Sequence, residues 1–177
     1  MLAQKTSAAP VRVRRRDDAD LDGCVRVLAE VHGHDGYPVD WPEDPRAWLA
    51  RPSLLAAWVA EVDGQVVAHI ALSRGGEGDA APALWSSRAG APVDGAAVVS
   101  RLFVSPEARG LGIGARLMER AVREARRRAL HPVLDVVVSD TAAAALYERL
   151  GWTLLATVDQ RWSATRTVSV HCYAAPA

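Results

Sequence analysis

The chain has 177 residues, half of them hydrophobic, which is enough for one well-buried domain and short for two. Basic and acidic residues balance at 21 each, so no global charge draws it to nucleic acid or an anionic membrane, and no apolar run reaches signal or transmembrane length. Cys24 and Cys172 lie far apart in no metal or redox spacing, which leaves them as reduced core thiols of a soluble, cytoplasmic protein.

Residues 1–10 are small, polar and patternless and read as a disordered lead-in to a single domain over 11–177. VRVRR at 11–15 alternates like an edge strand with its charges outward. Asp17, Asp18 or Asp20 can cap the next helix, whose apolar stripe is Leu21, Cys24, Val25, Leu28 and Val31 and which should end at Gly33. The basic run Arg14, Arg15 and Arg16 is neutralised by the aspartates beside it and reads as a solvated face. Residues 32–42, HGHDGYPVDWP, are interrupted by Gly and Pro, so their ring and carboxylate groups must ride on a loop. His32, His34 and Asp35 have the chemistry of metal ligands, but no complementary cluster stands elsewhere and no metal is expected.

Asp44-Pro45 opens a short helix over 46–51, and two apolar runs, 54–62 and 65–73, flank Asp63-Gly64, a strong hairpin signal. Residues 75–95, rich in Gly, Ala, Pro and Ser, predict a long exposed loop pinned by Trp85, either a lid or disordered. The β-branched run at 98–104 predicts a strand that Ser105-Pro106 stops before Arg109-Gly110-Leu111-Gly112-Ile113-Gly114. In the helix that follows, Ile113, Leu117, Ala121, Ala125 and Ala129 make one apolar face, widened by Met118 and Val122. On the polar face, Glu119 with Arg123 and Glu124 with Arg128 form i,i+4 pairs. A buried strand at 133–138 then completes a right-handed βαβ unit with parallel strands. A helix after Asp140 and strands at 153–158 and 168–173 close the chain. The connection at 159–167, with Arg161, Trp162 and Arg166, is expected to be exposed.

Glycines at the start of a helix bring bare backbone amides and the positive dipole end together, which favours a phosphate. The loop lacks the Gly-Lys-Ser/Thr of a nucleotide-triphosphate loop, and its evenly spaced glycines fail the dinucleotide pattern. The spacing Arg109-x-x-Gly112-x-Gly114 instead resembles the acyl-CoA loop of the GCN5-related N-acetyltransferases (GNAT). Asp140, Tyr147, Gly151 and Trp152 are similar to that family's last helix, Asn, six residues, Tyr, three residues, Gly and an aromatic. The resemblance spans 11–173, with its diagnostic residues at 97–152. It implies a mixed α/β fold: a mostly antiparallel twisted sheet with one parallel, splayed strand pair and helices on both faces. It also implies transfer of an acetyl group from acetyl-CoA to a primary amine by direct attack in a ternary complex.

The same resemblance assigns the pantetheine arm to the backbone of Leu102, Phe103 and Val104. It assigns the pyrophosphate to Arg109, Gly110, Leu111, Gly112, Ile113, Gly114 and Ala115. Tyr147 becomes the partner of the leaving thiolate, and Asp140 sits beside the cofactor as a helix cap. Two positions depart from the family pattern. Asp140 replaces Asn, and Ser100 stands where the strand often carries a Glu base. His69 on the hairpin is the first candidate for a replacement base, with Glu61 and Asp35 behind it and a water chain as the alternative. Asp35, Tyr37 and Trp41 are the expected acceptor contacts, and Asp40, Glu43 and Asp44 add acidity that favours a cationic amine. The missing Glu also leaves open a non-catalytic acyl-CoA-binding module. Either protein would be a monomer or homodimer, without nucleic acid or membrane as partner.

Overall fold

A computed structural model describes residues 9–177; most of the 1–10 lead-in lies outside the described residues. The elements are β1 (Val11–Arg15), α1 (Leu21–Asp35), α2 (Pro45–Leu49), β2 (Leu54–Val62), β3 (Gln65–Arg74), α3 (Ala81–Ala89), β4 (Ala96–Val104), α4 (Ile113–Arg127), β5 (His131–Val137), α5 (Thr141–Arg149), β6 (Thr153–Ser163) and β7 (Arg166–Ala174). Seven strands form one sheet in the order β1-β2-β3-β4-β5-β7-β6, antiparallel throughout except for β4 beside β5. No helix among the described residues is long and apolar enough to cross a membrane.

The alternation along the strands sorts the core onto two faces. Trp58, Ala60, Ile70, Leu72, Ala97 and Val99 turn to one face, where Ile113, Leu117, Met118, Ala121 and Ala125 of α4 and Tyr147 of α5 cover them. Val59, Val66 and Phe103 turn to the other and meet Cys24, Val27, Leu28 and Val31 of α1 and Leu49 of α2. On that second face α3 covers β4, β5 and β7 through Ala81, Val98, Val133, Val170 and Cys172.

Both i,i+4 pairs on α4 are present, Arg123 to Glu119 at 2.7 Å and Arg128 to Glu124 at 2.9 Å. Glu124 is buried rather than solvated, because Arg15 of β1 also reaches it at 3.0 Å and ties the edge strand to the helix.

Three expectations are corrected. Residues 75–95 are not one loop: Pro82 opens α3, Gly90 ends it with φ +63°, and Trp85 stacks on His131 at 5.3 Å. Asp135 on β5 supplies the cap that α3 lacks locally, accepting the amides of Ala80 and Ala81 at 2.7 and 2.9 Å. Helix α1 runs past Gly33 to Asp35 and stops at Gly36, whose φ of +75° suits the left-handed end of a helix. The predicted connection at 159–167 is instead the extended ends of β6 and β7, paired from Asp159↔Ser169 to Ser163↔Arg166.

Candidate active site

Strands β4 and β5 share only three residue pairs, Ala96↔His131, Ala97↔Pro132 and Val98↔Val133. Beyond Val98 they part, and a cleft of about 1100 Å³ opens between them. It passes through the sheet. Its lining includes the glycine loop, Leu146 and Tyr147 on the α4–α5 face, and Tyr37, Trp48, Asp79 and Trp162 from the segments on the opposite face.

On the first face, Gly110 and Gly112 hold left-handed φ values of +82° and +73° and bring the chain directly into α4. The first helical bond runs from Arg116 N–H to the Gly112 carbonyl at 3.2 Å. The amides of Ile113, Gly114 and Ala115 therefore stand without helical acceptors at the positive end of the dipole. Gly114 has a different reason to be glycine, since a Cβ there would come within 3.3 Å of Leu146 Cδ2 and push α5 from α4. Leu111 is exposed and lies outside the cleft lining.

Arg109 folds back from this loop. Its Nε and Nη2 donate to the Val104 carbonyl at 3.2 Å, and Nη2 pairs with Asp35. The hydrogen bond from Arg109 is the main reason the Asp35 carboxyl sits below the usual carboxylate range. One residue expected on the anion and one expected on the acceptor thus hold each other at the cleft rim.

Asp140 caps α5 by accepting the Ala143 amide at 3.1 Å. Two helical turns beyond Asp140, Tyr147 is buried against Trp152 and edge-on to Tyr173, with ring centroids 6.1 and 5.9 Å away. Burial pushes its phenol well above the ordinary value and keeps it protonated.

His69 lies outside the cleft lining. It is fully buried, its ring stacked on Phe103 at 5.1 Å. A guanidinium can only donate, so Arg16 Nη1 at 2.9 Å makes Nε2 the acceptor, and Nδ1–H donates to the Arg101 carbonyl at 2.9 Å. Burial drives its pKa down to about 3, and a neutral imidazole with both nitrogens engaged has no lone pair to offer an ammonium. Glu61 is tied to Arg12 and Arg14 at the sheet edge. Trp41 lies outside the lining too, beside His32 at 5.2 Å, while Tyr37 lines the cleft edge-on to Trp48.

The second face holds residues that sequence reasoning passed over. Asp79, on the short segment before α3, is half-buried; its Oδ2 accepts the Gly76 amide at 2.8 Å, and burial, then the nearby Asp135, raise its pKa. Arg101 occupies a bulge in β4 at φ +53°, its guanidinium 4.1 Å from the Trp48 ring centroid and its Nε 2.9 Å from the Trp48 carbonyl. The β6–β7 hairpin brings Gln160 and Trp162 to the same cleft, and Arg166 at its tip binds Asp40 at 2.5 Å. A signal for α3 itself was present, since Asp-Ala-Ala-Pro ahead of a run ending in Gly90 is a helix start and stop, but it does not mark Asp79 as a site residue.

A strand pair splayed around a ligand-sized gap, with a helix N-terminus at one end, agrees with what known proteins show. The acetyltransferase (GNAT) family matches residues 22–152. The chain belongs to that family. It is 34% identical over 122 residues to an uncharacterized N-acetyltransferase of Archaeoglobus fulgidus, covering 67% of this chain and 76% of that one. The structure of Salmonella typhimurium yncA with its cofactor acetyl-CoA superposes with a TM-score of 0.70 at 22% identity, over 94% of this acetyltransferase and 93% of yncA. The ribosomal-protein-S18-alanine N-acetyltransferase of Escherichia coli superposes at 0.67 with 17% identity, over 94% of each chain. Both likenesses establish the fold, and family membership makes this chain an acetyl-CoA-dependent N-acetyltransferase.

Proposed function

We propose that the enzyme moves the acetyl group of acetyl-CoA directly to a primary amine, the two substrates meeting inside the sheet from opposite faces. The observation that carries this reading is the cleft itself, which joins the glycine loop and Tyr147 on one face to Asp79 and Arg101 on the other. When bound, acetyl-CoA supplies a thioester-activated acetyl group. The amides of Ile113, Gly114 and Ala115 suit its pyrophosphate, with Gly110 and Gly112 shaping the turn that presents them. The unpaired edge of β4 at Leu102 and Phe103 suits the amide-bearing arm, and Arg109 keeps the Val104 carbonyl for itself.

The protein's chemical task is then to move two protons. Tyr147, held protonated by burial, donates toward the departing sulfur. Asp79 takes the proton of the amine, directly or through one water, and so replaces the carboxylate that β4 lacks at Ser100. A covalent acyl-enzyme is disfavoured, because Cys24 and Cys172 are buried outside the cleft with thiols pushed up to about 12. The same unpaired thiols support a reducing, cytoplasmic setting.

Tyr147→Phe tests the assignment. The expected result is a fall in kcat of about 100-fold with acetyl-CoA affinity nearly intact and intersecting initial-velocity lines for the two substrates. A loss of affinity at unchanged kcat would refute the role of Tyr147, and parallel lines with acetyl label retained on the protein would refute direct attack.

A further inference from the structure

The cleft face that carries Asp79 and Arg101 presents two opposite charges that do not pair with each other, although each feels the other's field. Arg101 is held by its Nε bond to the Trp48 carbonyl, by the ring beneath it, and by Ser100 Oγ, 3.4 Å from Nη1. Among the described residues these contacts include no carboxylate. A second guanidinium, Arg51, stands near enough to act on Arg101, and its own Nε is buried without a hydrogen-bond partner. Burial and then Arg51 lower the Arg101 pKa to about 10, and no carboxylate among the described residues forms a salt bridge with it.

Three of the four carboxylates expected to draw in a cation are meanwhile engaged elsewhere, and the fourth, Glu43, is exposed and outside the cleft lining. Asp35 is bound to Arg109, Asp40 to Arg166, and Asp44 caps α2 through the Ala47 amide at 3.0 Å. Among the described residues, the cleft lining on this face leaves open the Arg101 guanidinium, flanked by a hydroxyl, and the Asp79 carboxylate, whose Oδ1 has no hydrogen-bond partner. A ligand that satisfies both carries an anion and an amine within one small molecule.

We propose that the acceptor is a zwitterion, an α-amino acid or a near analogue, whose carboxylate seats on Arg101 and Ser100 while its amine faces Asp79. This deepens the acetyl-transfer reading and rests on it. Tyr37, Trp48 and Trp162 would flank the side chain of the amino acid.

The test compares free amino acids with their carboxamides as acceptors, following acetyl-CoA-dependent thiol release by the intact enzyme. The acids should exceed the amides by roughly 100-fold in kcat/KM, the discrimination expected from a charge-assisted contact in a partly buried site. Amine basicity does not produce that order, since without a neighbouring carboxylate the amide's ammonium loses its proton more easily. Arg101→Gln should cost the acids far more than the amides, mainly through KM, and so erase most of the difference between them, and Arg101→Lys should recover part of the loss. Amides or polyamines used as well as acids by the wild-type enzyme would overturn the zwitterion and leave acetyl transfer standing. An Arg101→Gln loss equal on acids and amides would also overturn the anchor, because a merely structural role lowers both alike. Silence with every amine from a protein that still binds acetyl-CoA would overturn both readings.

Discussion

Replacing Asp79 by Asn asks how the amine loses its proton. An aliphatic ammonium with a pKa near about 10 is free amine in only about one part in 10³ at pH 7, a handicap of about 4 kcal/mol at 1.36 kcal/mol per unit. A positioned base contributes typically about 10² to 10⁴, which matches that handicap. In Asp79→Asn the proton must leave to bulk solvent, so the rate should follow the free-amine fraction. The deficit is expected to be about 10³-fold at pH 7, shrinking roughly tenfold per pH unit until the two enzymes converge near pH 10. In the wild type the base works ionised, and burial raises its pKa, so kcat/KM declines as pH falls through a value above the usual carboxylate range. The assay is thiol release across that pH range with acetyl-CoA saturating. An unchanged rate at pH 7, or a deficit that stays constant as pH rises, would refute the base.

Two further substitutions or titrations probe the scaffold. Gly112→Ala places a Cβ at φ +73° and should cost about 1–2 kcal/mol, read as a lower urea midpoint, together with weaker acetyl-CoA binding; an unshifted midpoint would show that the turn relaxes freely. His69 should remain the neutral Nδ1–H tautomer down to pH 5 in nitrogen-resolved NMR, because burial lowers its folded pKa to about 3. The unfolded chain takes up that proton near about 6.5, so folding stability is full above that pH and declines on acidification toward the folded value. A His69 signal titrating near neutrality would contradict the buried geometry.

The glycine loop, helix α4 and the parallel strand pair were legible because local chemistry dictates them: an apolar stripe at helical spacing, glycines at a helix start, and β-branched runs on both sides. The place of Tyr147 on α5, lining the cleft, was legible through its spacing from Asp140 and Gly151. Asp79 and Arg101 were not, since what distinguishes them is set by chain segments distant in sequence. Burial and Asp135 raise Asp79, while Trp48 from α2 covers Arg101. His69 misled for the same reason. A histidine on an apolar strand reads alike whether it faces a cleft or is clamped between Arg16 and a bulged carbonyl. The acidity of residues 35–44 was real in composition, but ion pairs and a helix cap engage Asp35, Asp40 and Asp44 in the fold.

The three-pair seam between β4 and β5 makes ligand binding and folding a linked equilibrium. The free protein leaves rungs of its own ladder unmade, so amides facing the gap should exchange with solvent far sooner than those paired on the β3 side of the same strand. A ligand that completes those rungs acts as a provisional strand, stitching β1–β4 to β5–β7 across the break. At a concentration about one hundred times its Kd it would add about 2.7 kcal/mol to global stability. Thermal resistance of this enzyme should therefore track the supply of its acyl donor, and depletion of that donor would leave the seam as the place where unfolding starts.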